Sequence, residues 1–339
     1  MYESLKKKTV SGFFWSFSEL ISKYGINFII QIFLARLLLP EDFGLIGMIT
    51  IFIAVSQSII DSGFGNALIR ERNSSQEDYS TVFFYSVFAA ILMYILLYCS
   101  ANAISDFFSE PKLTLIIRVL AIVLIINSFG LIQRTVLTKN IDFKTQTKIV
   151  LFSSIVSGIA AIILASFGFG IWCLVIRNII MQLLETILLC FNNKWLPSLI
   201  FSTKSFKRLF GFGWKLLVSG LVNTVYINIY LIIIGKFFSV INLGYYTNAK
   251  KISDLASNSF TSSVQRVSYP VLSSMNDRND SLFYGYKKLL THTVFVGFFI
   301  SFLLAASADN LIPVLFGEKW LPSVPYFQVL CFASVLYPV

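Results

Sequence analysis

Ionisable and amide side chains recur every four residues inside stretches that are otherwise hydrocarbon. Glu19, Lys23, Asn27 and Gln31 form one such series; Lys250, Asp254, Asn258, Ser262 and Arg266 form another, with Lys251 and Gln265 beside them. On an α-helix each four-residue step drifts by about 40°, so either series winds slowly along one stripe. Counting about 1.5 Å per residue from Ser11 places Lys23 roughly 18 Å along its helix, near the middle of a bilayer. A charge facing lipid there costs at least about 2.5 kcal/mol, so the stripes must face protein or water. Lysines in such a place attract an anion. A carboxylate can instead exchange a proton or a sodium ion, and Asp61, with Glu19 and Asp254 behind it, is the best placed for that. A structural reading competes: Glu19 with Lys23, and Lys250 with Asp254, are i,i+4 pairs that neutralise each other. Asp61 on that view is a helix-end contact before Ser62-Gly63-Phe64-Gly65. The readings are compatible, because a pair can open when an anion arrives.

Other reactive side chains carry less. Arg118 and Arg177 lie within about two turns of helix ends and are expected to snorkel to the interface. His292 reads as a boundary residue, and the Asn73-Ser74-Ser75 and Asn279-Asp280-Ser281 sequons as chance. Cys99, Cys173, Cys190 and Cys331 have apolar surroundings and no CxxC spacing, so they read as packing residues rather than disulfides or metal ligands. No Walker, HExxH or GxSxG motif appears.

The elements that hold these residues must cross a membrane. Of 339 residues 56% are hydrophobic and 13% charged, with 34 Phe, more apolar surface than a soluble core can hide. Apolar runs long enough to span lie near 11–38, 43–67, 80–104, 113–133, 148–168, 171–191, 209–236, 243–270 and 288–308, and a tenth begins near 323. The N-terminal "MYESLKKKTVSGFFW" runs into a helix too long for a signal peptide. Sixteen loop cations fall on one side of this topology and three on the other, which predicts a cytoplasmic N-terminus. The net charge of +10 is therefore a topology signal and not a nucleic-acid footprint. Spans three, five and nine are nearly pure hydrocarbon in their middles and are expected to face lipid. Polar residues gather in spans one, two (Ser56, Gln57, Asp61), seven (Ser219, Asn223, Asn228, Tyr230) and eight.

The chain also repeats itself. "ARLLLPEDFGLIGM" aligns with "GKFFSVINLGYYTN" at an offset of 200, pairing Arg36 with Lys236, Asp42 with Asn242 and Gly44 with Gly244. Six crossings separate the repeats, so both run in the same direction about an axis along the membrane normal. Pro40-Glu41-Asp42 is a tight turn in which Pro stops one helix and the acidic pair opens the next, where its dipole favours them. The fold class expected is an all-α polytopic membrane protein of two parallel six-helix repeats around a central cleft. The N-terminal lobe is 1–200 (spans 1–6). A partial C-terminal lobe is 201–339 (spans 7–9 and the start of 10), so the second repeat is truncated.

"ARLLLPEDFGLIGM", followed by "DSGFGNALIRER" and preceded by the basic start, resembles the bacterial polysaccharide flippases of the multidrug/oligosaccharidyl-lipid/polysaccharide exporter superfamily, in particular the colanic-acid or teichuronic-acid exporter branch. The likeness covers the whole chain, and its first 72 residues carry most of the specificity. It implies a multi-pass protein of the bacterial inner membrane that flips oligosaccharide on undecaprenyl diphosphate by alternating access. Membrane lipids surround it, and a polysaccharide polymerase and glycosyltransferases are its pathway partners. Lys23, Lys250 and Lys251 would then meet the diphosphate, with Arg70 at the cytoplasmic entrance. Asn27, Gln31, Asn223 and Asn258 would suit sugar hydroxyls. Asp61, Glu19 and Asp254 are the ion-coupling candidates, for H+ or Na+, with no other cofactor. Two other functions stay open. A drug/cation antiporter of the same superfamily would want an acidic cleft, and this one is mainly basic. A membrane-embedded enzyme of polysaccharide assembly would want reactive residues in sizeable outer loops, and these loops are short.

Overall fold

A computed structural model describes residues 25–334 except 72, 194, 256 and 258–278. The regular structure of the described residues is helical. In chain order the helices are α1 (Gly25–Leu37), α2 (Pro40–Asp61), α3 (Phe64–Arg70), α4 (Gln76–Phe108), α5 (Lys112–Leu120), α6 (Ile122–Lys139), α7 (Phe143–Ser166), α8 (Ile171–Asn192), α9 (Thr203–Phe237), α10 (240–255), α11 (Asn279–Phe316) and α12 (Val324–Ser334). Seven helical stretches among the described residues are long and apolar enough to cross a membrane, with α2 and α3 counted together and α5 with α6.

These helices outrun the apolar windows that announced them, because composition marks hydrocarbon thickness whereas capping groups mark where a helix stops. Asp42 Oδ2 accepts from Leu39 N (3.0 Å) at the start of α2. Ser75 and Asp78 form a reciprocal capping box that starts α4. Asp142 Oδ1 accepts from Thr145 N (3.1 Å) on α7, and Ser202 Oγ from Ser205 N (3.3 Å) on α9. Inside the second span Ser62 and Gly63 both adopt left-handed backbone, φ 44° and 69°, which ends α2 and restarts the chain as α3.

The chain packs as two compact units: Met1–Leu38 with Leu45–Ser239, and Leu39–Gly44 with Val240–Val339. In the first, α7 packs on α8, and α6 on both α4 and α8, while α9 lies against α3 and α4. Phe64, Ala67, Leu68, Val82, Ile132 and Leu209 form a buried cluster there, ringed by aromatic side chains that include Tyr85, Phe206 and Phe210. The lobes expected from the sequence repeat, 1–200 and 201–339, differ from these units, which follow packing and place α9 with α3 and α4. In the second unit α11 and α12 pack together, and Trp320, fully buried, meets the edges or faces of Phe43, Tyr245 and Phe316.

Spans three, five and nine carry outward apolar stripes at helical spacing. These are Phe88, Leu92 and Ile95 on α4, Phe152, Ile155, Ile159 and Ile163 on α7, and Phe295, Phe299 and Phe302 on α11. Such stripes belong against acyl chains. The four cysteines are free; Cys173 and Cys331 are buried, while Cys99 and Cys190 are exposed.

Candidate functional site

Asn27 and Gln31 sit one turn apart on α1, the first half-buried and the second 5% exposed. Asn27 Oδ1 accepts from Arg177 Nη2 of α8 at 2.6 Å. Arg177 thus turns inward to α1 instead of snorkelling: an amide acceptor within reach outweighs a stretch toward the interface. Below it on α8, Gln182 Nε2 donates to Asn127 Oδ1 (2.8 Å), and Glu185, 6% exposed, takes Arg134 Nη2 at 2.6 Å. Polar contacts thus recur at three levels along α8, one to α1 and two to α6, although each helix reads as hydrocarbon overall.

The α2–α3 break gathers a second group. Asp61 Oδ1 accepts from Gly65 N (3.4 Å), so it satisfies one of the free amides that open α3, and Arg134 is the cation whose field reaches it. The structural role foreseen for Asp61 is therefore present. Ser62 Oγ pairs with Tyr85 OH (2.8 Å), and Ser58 Oγ with Thr224 Oγ1 of α9 (3.1 Å). A Cβ on Gly63 would lie 2.6 Å from Gly213 O, and one on Gly213 would lie 2.7 Å from Ser62 O. Only hydrogen at both positions permits this approach of the break to α9. Arg70 is exposed with its guanidinium 4.3 Å above the Phe212 ring, and Asn223 is exposed on α9 beside Thr224.

Nearby, Asp78, 1% exposed, takes Arg208 Nη2 at 2.6 Å while its capping box holds α4. The segment before α9 is fastened to the same end of α4. Trp195 Nε1 donates to Gln76 Oε1 (2.7 Å), Ser198 N to Ser80 Oγ (3.0 Å) and Ser202 N to Thr81 Oγ1 (3.0 Å).

In the second unit the two repeated turns meet each other. A Cβ on Gly44 would overlap Val240 O, and one on Gly244 would overlap Pro40 O. Residues 40 and 240, like 44 and 244, stand at the offset of 200 read from sequence, so this is one contact made twice. Lys251 is exposed with Nζ 5.4 Å from the centre of the Phe43 ring. Lys250 and Asp254, one turn apart on α10, are both half-buried, and Lys250 is the positive charge that acts on Asp254. Lys319 lies in the turn after α11. Burial pushes its ammonium below the ordinary lysine value, and Asp42 opposes that shift.

Glu19, Lys23 and Asn258 lie outside the described residues. The structure brings Asn27 and Gln31 together on α1, Lys250, Lys251 and Asp254 together on α10, and sets Asp61, Arg70 and Asn223 around the α2–α3 break and α9. Arg177, Arg134 with Glu185, and Arg208 with Asp78 were not foreseen as contacts. Their one sequence signal is an arginine near an apolar run, and the acceptors lie between 51 and 150 residues away. Among the described residues no cluster of His, Cys, Asp and Glu could hold a metal ion.

A family model described as polysaccharide biosynthesis protein matches residues 33–325. Teichuronic acid biosynthesis protein TuaB of Bacillus subtilis is 31% identical over 284 residues, which cover 83% of this chain and 59% of that protein. The chain therefore spans about three fifths of that relative's length. Succinoglycan biosynthesis transport protein ExoT of Rhizobium meliloti is 22% identical, covering 98% of this chain and 68% of that one. Among solved structures, an inward-facing multidrug resistance MATE family transporter of the MOP superfamily superposes with a TM-score of 0.69 at 13% identity, over 96% of this chain and 81% of that one. That likeness shows the fold to be MATE-like.

Proposed function

The chain belongs to the polysaccharide biosynthesis protein family, and from that premise we propose that it is a flippase. It carries undecaprenyl-diphosphate-linked oligosaccharide repeat units across the bacterial inner membrane for surface polysaccharide synthesis. The N-terminus is cytoplasmic, and transport proceeds by alternating access between two like-oriented lobes, 1–200 and 201–339. The observation that carries the reading is the placing of basic and amide side chains inside the first and eighth spans: Asn27 and Gln31 on α1, Lys250 and Lys251 on α10. Hydrocarbon helices carry such groups where a polar solute passes.

Lysine ammonium groups at Lys23, Lys250 and Lys251 suit the diphosphate as mobile point charges. Asn27, Gln31, Asn223 and Asn258 offer the paired donor and acceptor that a sugar hydroxyl needs. Arg70, exposed beside the α2–α3 break, receives cargo at the cytoplasmic entrance. Asp61, Glu19 and Asp254 exchange the coupling ion, H+ or Na+. The protein moves its cargo and makes or breaks no bond in it. The polymerase and glycosyltransferases of the same pathway consume and supply that cargo.

Deletion of the gene in its host tests this reading. Lipid-linked repeat units should accumulate at the cytoplasmic face while surface polymer falls. Normal polymer with increased sensitivity to cationic drugs would replace the reading with that of an antiporter.

A further inference from the structure

Arg177 differs from the other described arginines whose guanidinium contacts are defined. Arg134 and Arg208 each hold a carboxylate at 2.6 Å, and Arg70 and Arg118 lie over aromatic rings at 4.3 and 4.6 Å. Arg177 has neither. Its Nη2 donates to the neutral Asn27 Oδ1 at 2.6 Å and its Nε is enclosed with no hydrogen-bond partner; Arg118 shares the enclosed Nε and donates to an amide, Asn102 Oδ1, at 3.4 Å, but it has the Tyr98 ring that Arg177 lacks. The residue lies six positions into α8, roughly 9 Å from the start of that helix and so within the hydrocarbon zone. A guanidinium stays charged there, and one amide oxygen satisfies only one of its donors. A charge so placed, with no carboxylate on it among the described residues, is destabilising unless an anion supplies the counter-charge. Arg177 is half-buried, and Asn27 belongs to the polar stripe of the first span.

We propose that Arg177, held in place by Asn27, forms an anion site in the α1–α8 seam that takes a phosphate-type oxyanion through the guanidinium fork. Asn27 orients the guanidinium; Arg177 makes the contact. The proposal rests on the flippase reading for its cargo, since the diphosphate of a lipid carrier is the anion that such a path would present. The same chemistry would bind free pyrophosphate. The planar fork matches two oxygens of one phosphate at once, which chloride cannot use.

The test uses the purified full chain in detergent and follows its thermal unfolding with inorganic pyrophosphate, a short prenyl diphosphate, or chloride at matched ionic strength. A diphosphate at about tenfold its Kd should raise the midpoint by about 2–4 °C, with chloride giving no comparable rise. Response to both diphosphates assigns the site to the diphosphate group alone; response only to the prenyl form assigns it to a lipid-borne anion. R177Q should lose the shift, and R177K should keep part of it. N27D gives the guanidinium a carboxylate in place of the neutral amide, so the counter-charge is supplied from within; it should unfold at a higher temperature than wild type and no longer respond. It thereby serves as a folded reference if R177Q fails to fold. An unchanged shift in N27D, or no shift in wild type with either diphosphate, overturns the site. Either result leaves the gene-deletion phenotype, and hence the flippase reading, to be judged separately.

Discussion

Alanine at Gly44 perturbs the contact between the two repeated turns with one methyl group. Its Cβ would overlap Val240 O and lie 2.9 Å from both the Val240 carbonyl carbon and Cγ1. Carbon pairs settle at about 3.5–4.0 Å, so the α2 and α10 starts must part by roughly 0.6–1 Å. The obstacle is backbone, which cannot swing aside as a side chain can. Overpacking of this kind costs about 1–3 kcal/mol, and the gain of Ala over Gly inside a helix returns about 0.5–1 kcal/mol of it. A net loss of about 1–2 kcal/mol should lower the unfolding midpoint of the purified protein by about 2–6 °C. It should also favour any state with the turns apart by about 5–30-fold, visible as faster labelling of a cysteine placed at Val240. Gly244 makes the same contact from the other side, against Pro40 O. Once either substitution has parted the turns, the second finds little left to disturb, so the double variant should lose less than the sum of the singles. A Cβ on Gly220 of α9 would meet nothing within 4 Å, so G220A should be neutral or slightly stabilising. Additive losses at Gly44 and Gly244, or a G44A midpoint equal to that of G220A, would refute the reasoning.

Three further outcomes are expected. G63A combines a left-handed φ of 69° with a 2.6 Å clash against Gly213 O, and should cost about 2–4 kcal/mol by thermal unfolding. G168A, with φ 80° and open space around it, should show the backbone part alone. Replacing Lys250 and Lys251 together by Ala should abolish polymer export and leave membrane insertion intact; normal output would remove both from the mechanism. D61N should alter the pH or sodium dependence of export if Asp61 exchanges the coupling ion, whereas an unchanged dependence with a lower unfolding midpoint would leave it only its contact with Gly65 N.

Helix identity was legible because hydrocarbon thickness fixes how long an apolar run must be, and each expected span that lies within the described residues falls on one helix or, at 43–67 and 113–133, on two in succession. Their ends were not, since Ser75, Asp142 and Ser202 cap helices from positions where composition has already turned polar. The repeat offset of 200 was legible at Gly44 and Gly244 from pattern. Its physical use, backbone on backbone against residues 240 and 40, needs three dimensions. Polar stripes on α1 and α10 could be read because four-residue spacing is local. Arg177 could not be read that way: its acceptor Asn27 is 150 residues distant, and an isolated arginine near a helix end looks the same whether it reaches water or a neighbouring amide.

The central claim, that this chain moves a lipid-linked oligosaccharide through a basic path, is tested most directly in proteoliposomes. Undecaprenyl-diphosphate-linked repeat units are loaded with the purified protein, and the sugar exposed on each leaflet is followed by periodate oxidation. The account predicts transfer between leaflets that depends on the protein and is lost when Lys250 and Lys251 are replaced by Ala. Transfer no faster than in protein-free vesicles, or equal transfer by that variant, would contradict it.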